Sequence, residues 1–108
     1  MKSVNVSALE ASAEPGLPAS IGVARCITDA QLPTLAGGVG RFNVEIELTD
    51  WKFARDEVVV VIEGQLSFTS STGERVAARK GGMLIVPADT LATVRASAGT
   101  EIVFVTPR

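Results

Sequence analysis

From Trp51 to Glu57 the chain reads Trp51-Lys52-Phe53-Ala54-Arg55-Asp56-Glu57, with an aromatic or charged residue at every second position. Successive side chains of an extended chain point to opposite faces, so Trp51, Phe53, Arg55 and Glu57 are predicted to share one. Two rings can cover the apolar body of a small molecule while two charges fix its orientation. Arg55 suits a carboxylate or phosphate through a two-pronged contact. Glu57 suits a hydroxyl or an amine. The same residues also admit a plainer arrangement, in which Trp51 and Phe53 fill a core and Arg55 pairs with Glu57 or Asp56.

Other chemistry is narrowly bounded. The chain has no histidine. Iron, manganese and zinc sites lean on imidazole, which suits those ions better than carboxylate alone. The oxygen donors left in this region are Glu45, Glu47, Glu57 and Asn43, and neither a metal nor another cofactor is expected. Ser67, Thr69 and Ser70 have no base beside them in the sequence, so no nucleophile–base pair stands out. Glu57 is the one candidate for proton transfer, and a lone carboxyl needs a raised pKa and a well-held substrate to act. The expectation leans away from an enzyme, with a small isomerase- or hydrolase-type activity resting on Glu57 as the alternative. Gly37-Gly38-Val39-Gly40 resembles a phosphate cradle in composition only. A phosphate loop precedes a helix and carries a Lys-Ser/Thr pair, whereas here a strand pattern follows.

At 108 residues the chain is expected to be one domain. Ten basic residues against twelve acidic ones leave a net charge of −2, with no basic stripe, so nucleic-acid binding is not expected. No apolar run approaches the ~20 residues of a membrane-spanning helix, and no hydrophobic stretch follows Lys2 as a signal peptide requires. Cys26 is the only cysteine. It cannot form an internal disulfide, and a reducing cytoplasm is the compartment most easily reconciled with it.

Residues 1–20 read as an arm rich in Ser, Ala and Glu with Pro15 and Pro18. Residues 21–108 read as the folded domain. Ile21–Thr28 is a predicted strand and 29–40 a loop. Arg41–Leu48 alternates, with Phe42, Val44, Ile46 and Leu48 on one face. Val58–Ile62 is a run of five β-branched residues and reads as a strand covered on both faces. Further strands are predicted at 65–69, 74–80, 83–86, 91–96 and 101–106, punctuated by Gly73, Gly81-Gly82, Pro87 and Gly99. About eight short strands with regular turn signals indicate an all-β antiparallel sandwich or barrel.

These features together resemble the cupin jelly-roll barrel. The first cupin motif carries His-x-His, then Glu, then Gly. Glu57 and Gly64 fit the last two positions, while the histidines fall on Trp51 and Phe53, or one residue earlier. In the second motif Gly81 and Pro87 fit; Asp89 stands in place of the second glycine and Ala92 in place of the histidine. Within the cupins, Trp51, Asp56-Glu57, Glu63-Gly64, Gly81, Pro87 and Phe104-Val105 resemble the C-terminal domain of the ethanolamine-utilisation protein Q (EutQ) family. Glu45 falls on an acidic position of that family, which adds it to Trp51, Phe53, Arg55 and Glu57 as a ligand-binding candidate. The resemblance implies a histidine-free cupin that binds a small polar or anionic metabolite, or serves as an accessory factor in amine or short-chain acid catabolism. Acetate kinase activity has been attributed to that family, but no ATP-phosphate loop is present here. The apolar surplus of residues 58–62 and 101–106 exceeds what one barrel interior can take, so a homodimer is expected, with a structural dimer module as the third reading of function.

Overall fold

A computed structural model describes residues 1–108. Ten strands follow one another: β1 (Ser12–Ala13), β2 (Ile21–Ile27), β3 (Leu35–Phe42), β4 (Ile46–Phe53), β5 (Glu57–Glu63), β6 (Gln65–Ser70), β7 (Arg75–Arg79), β8 (Met83–Val86), β9 (Thr90–Ala96) and β10 (Thr100–Pro107). A single 3-10 turn at Val6–Ala8 is the only helical element. No helix is long and apolar enough to cross a membrane.

All strand pairs are antiparallel, in a six-stranded sheet ordered β1-β2-β3-β10-β5-β8 and a four-stranded sheet ordered β4-β9-β6-β7. This is an all-β, single-domain jelly-roll barrel. The period of two decides what meets inside. Val59, Val61, Leu84, Val86 and Ile102 of the larger sheet join Phe53, Leu66, Phe68, Ala92, Val94 and Ala96 of the smaller in one buried cluster. Phe53 and Phe68 form its aromatic centre, with ring centroids 5.1 Å apart and planes tilted by 59°.

Three sequence expectations need correction. The first concerns residues 35–40, placed in a loop by their glycines. They belong to β3, between β2 and β10, and Gly37, Gly38 and Gly40 are buried there. The glycines serve close backbone approach: a Cβ on Gly38 would sit 2.2 Å from the Ala24 carbonyl oxygen. The second is the alternating run Arg41–Leu48, which is two strands and a turn. β3 ends at Phe42, β4 begins at Ile46, and Val44 between them is exposed. The third concerns burial at β5 and β8. Val59 and Val61 are buried, while Val58, Val60 and Ile62 are only half-buried on the outer face. In β8, Leu84 and Val86 face the core, while Met83 and Ile85 remain 57% and 72% exposed.

The N-terminal arm carries little regular structure but is tied down. Arg41 donates hydrogen bonds to the carbonyl oxygens of Val6 and Leu9. Ser12 and Ala13 pair with Val23 and Gly22 at the sheet edge. Leu17 packs against the core cluster.

Candidate functional site

β4 brings its aromatic residues to the barrel interior by breaking its own alternation. Ile46 and Leu48 pair with Ala96 and Val94, and the register then slips so that Trp51 pairs with Ala92. Thr49 and Asp50 form the bulge, and Asp50 takes φ 54°. An extra residue in one strand of a pair turns the following side chains over. Without it, Leu48 and Trp51, three positions apart, would face opposite ways. Phe53 follows Trp51 by two and is buried. Across the lumen, Glu57 opens β5 on the face that also carries Val59 and Val61.

These side chains line a cavity of about 340 Å³ whose walls are mostly apolar, with Leu48, Phe68, Val94 and Phe104 among them. That lies at the small end of ligand pockets, which run from roughly 300 to 1,000 Å³, so the space admits a small metabolite. Glu57 is half-buried, and its carboxyl takes part in none of the chain's ion pairs. Burial in these walls raises its pKa above the ordinary carboxylate value, because a charge is disfavoured where water is excluded.

Trp51, Phe53 and Glu57 therefore share the lumen. Arg55 does not join them. The chain leaves the sheet after Phe53, and Arg55 stands exposed at the bend before β5, where two-residue parity no longer applies. Nor does it pair with Glu57 or Asp56; Asp56 instead accepts a hydrogen bond from the Ala88 amide at 2.7 Å. Glu45 lies elsewhere too, on a groove of about 820 Å³ across the outer face of the four-stranded sheet. Arg75, Arg79 and Arg95 border that groove, and Arg95 pairs with Glu47 at 3.1 Å. The groove is the larger hollow, but it lies on an exposed sheet face. The lumen lies between the two sheets and contains the perturbed carboxyl, so it is the stronger candidate.

Two residues at the lumen's mouth escaped the sequence reading. Arg25 is the third inward position of β2 after Ile21 and Val23, and it lines the cavity with Glu14 of the arm. The signal for Arg25 was present: a charged residue continuing an apolar parity.

The donor set expected of a cupin metal centre is absent. By motif spacing the histidine positions fall on Trp51 and Phe53, or one residue earlier, and on Ala92, and no histidine stands at any of them. Glu57 is in the lumen, while Glu45 and Glu47 are on the outer groove, and no three of the chain's Asp, Glu and Cys residues converge. The residues present do not fit such a metal.

Among solved structures the chain is similar to the EutQ protein of Clostridium difficile, with a TM-score of 0.80 and 20% identity over 97% of this chain and 85% of that one. It is also similar to a Rhizobium leguminosarum protein of unknown function, with a TM-score of 0.77 and 26% identity over 98% and 95% of the two chains. An RmlC-like cupin of Shewanella frigidimarina gives a TM-score of 0.72 at 13% identity, over 96% and 87%. No curated protein matches the chain. The family described as EutQ-like cupin domain matches residues 30–104, so the chain belongs to the EutQ-like cupins.

Proposed function

We propose that this EutQ-like cupin binds a small polar or anionic metabolite in its barrel lumen, without a metal, as an accessory factor in amine or short-chain acid catabolism. One observation carries the reading: an unpaired, half-buried carboxyl, Glu57, faces an apolar cavity of about 340 Å³ beside Trp51 and Phe53. A carboxyl in such walls is costly unless a partner meets it, and a ligand hydroxyl or amine is the partner supplied by this role. Trp51 and Phe53 cover the ligand's apolar body. Family membership supports a setting in ethanolamine or related amine catabolism. The proposed compartment is the cytoplasm, where Cys26 stays a thiol.

A thermal-shift screen against small amino alcohols, short-chain acids and sugars tests this. A ligand held at 100 times its dissociation constant adds about 2.7 kcal/mol, which raises the melting temperature by several degrees. The stabilising compound loses its effect on Glu57→Gln if the carboxyl receives it. A screen without any stabilising compound, or a shift unchanged by Glu57→Gln, contradicts the reading.

The raised pKa of Glu57 favours one second reading, an isomerase- or hydrolase-type enzyme in which this carboxyl is the acid or base. Turnover abolished by Glu57→Gln with binding retained would select it.

We also propose that the functional unit is a homodimer. Val58, Val60, Met83, Ile85, Val103 and Val105 occupy the outer face of β8, β5 and β10, where neighbouring residues pair across the strands. Apolar patches of this kind on small proteins mark contact surfaces.

A further inference from the structure

The mouth of the lumen holds the only cation that lines it, and that cation is already engaged by a carboxylate. Arg25 Nε donates to Glu14 Oε1 at 2.8 Å and Nη2 donates to Oε2 at 3.0 Å. This is the two-pronged geometry in which a guanidinium recognises a carboxylate. The cation is also positioned independently of Glu14. Arg25, Gly38, Phe104 and Val59 form one row across β2, β3, β10 and β5. Gly38 has no side chain to fill its place in that row, so the guanidinium crosses it and lies 5.8 Å from the centroid of the Phe104 ring.

Glu14, by contrast, lies on the turn between the two points that tie down the arm, the pairing of β1 and the packing of Leu17, so exchange moves its side chain and not the arm. Its strand contact is the two-residue β1 beside it. It opens a turn through Pro15 and Gly16, with Gly16 at φ 88° and the Leu17 amide bonded to the Glu14 carbonyl oxygen at 3.2 Å. This Pro-Gly turn aims Leu17 into the core cluster and leaves the Glu14 carboxylate at the mouth.

We infer that the ligand of this lumen carries a carboxylate, and that it binds by taking Glu14's place on Arg25. The arm's own carboxylate thus acts as an internal stand-in that holds the mouth until an acid of the right size arrives. Arg25 remains over Phe104 during the exchange, so the incoming carboxylate meets a cation already in place. The ligand's chain then lies against Phe104, Trp51 and Phe53. This inference rests on the lumen being the binding site, and it assigns to Arg25 the anion contact that the sequence suggested for Arg55.

The test measures dissociation constants for butyrate, valerate and hexanoate, and for their primary amides, by following backbone-amide NMR shifts. Wild type, Glu14→Gln and Arg25→Gln are compared; both side chains are at least partly exposed, so the fold is kept. The acids are expected to bind more tightly than their amides. Glu14→Gln frees the guanidinium and should tighten the acids about tenfold, the scale of a hydrogen-bonded charge, while leaving the amides unchanged. Arg25→Gln should erase the preference for acids. Acids and amides binding alike, or tightening alike in Glu14→Gln, would overturn the inference and leave the lumen reading intact. If no acid or amide binds, the inference also falls, and the lumen reading then stands or falls with the thermal-shift screen.

Discussion

Glu57 has an environment that disfavours its charged form. Burial raises its folded pKa above the ordinary value, so between the two pKa values the folded chain binds more protons than the unfolded one. Stability on account of this group is therefore greatest below the unfolded pKa and falls as pH rises through the folded one. Replacing Glu57 with Gln removes that loss. The melting temperature of Glu57→Gln should exceed wild type at neutral pH, and the gain should vanish as pH falls below about 4.3, the unperturbed Glu value. A gain independent of pH would show that the carboxyl is not desolvated. Asp89 makes a second residue-scale case. It replaces a motif glycine and takes φ 66°, a conformation Asp tolerates better than most residues. Asp89→Val should destabilise by roughly 1–2 kcal/mol in chemical denaturation, while Asp89→Gly should be tolerated. Equal stability of the two variants would contradict the backbone assignment.

The elements were legible where side chains carried the signal. Residues 58–62 and 65–69 announced β5 and β6 through β-branched and alternating patterns, and Gly73, Gly81 and Pro87 marked the turns between later strands. β3 was hidden because glycines have no side chains to show a period, although close approach is what puts them in the middle of a sheet. Trp51 and Phe53 were placed together correctly. Arg55 was not, since parity holds only within a strand and β4 ends at Phe53. Arg25 and Glu14 meet across the fold through a turn, a contact no local pattern reports. The bulge in β4 allows a test at this scale. Deleting Asp50 should restore unbroken pairing with β9 and still leave Trp51 opposite Ala92, so the emission maximum of Trp51 should stay where it is in wild type. A shift to that of a solvent-exposed indole would contradict the registered bulge. The core between the sheets has its own measure: Phe68→Ala, which removes the ring against Phe53, should cost about 3–5 kcal/mol in denaturant unfolding.

At the scale of the whole molecule, the barrel offers three surfaces with different chemistry: an apolar lumen with one unpaired carboxyl, a polar groove across the smaller sheet, and an apolar outer face on β8, β5 and β10. The last is the proposed dimer face. Light scattering after size exclusion should give a dimer at micromolar concentration, and Ile85→Glu, which puts a charge on a residue 72% exposed, should give a monomer that keeps its fold. A monomeric wild type would remove the dimer. The lumen is the proposed ligand site, and the chain provides its own reporter, because Trp51 is the only tryptophan and lines that cavity. The decisive measurement is a titration of Trp51 emission with the compound that most raises the melting temperature. Binding in the lumen should give a saturable change in wild type that persists in Arg79→Ala and Arg95→Ala on the outer groove and is lost in Glu57→Gln. A compound that stabilises the protein without altering Trp51 emission, and whose effect disappears with those arginines, would place binding on the outer groove and contradict it.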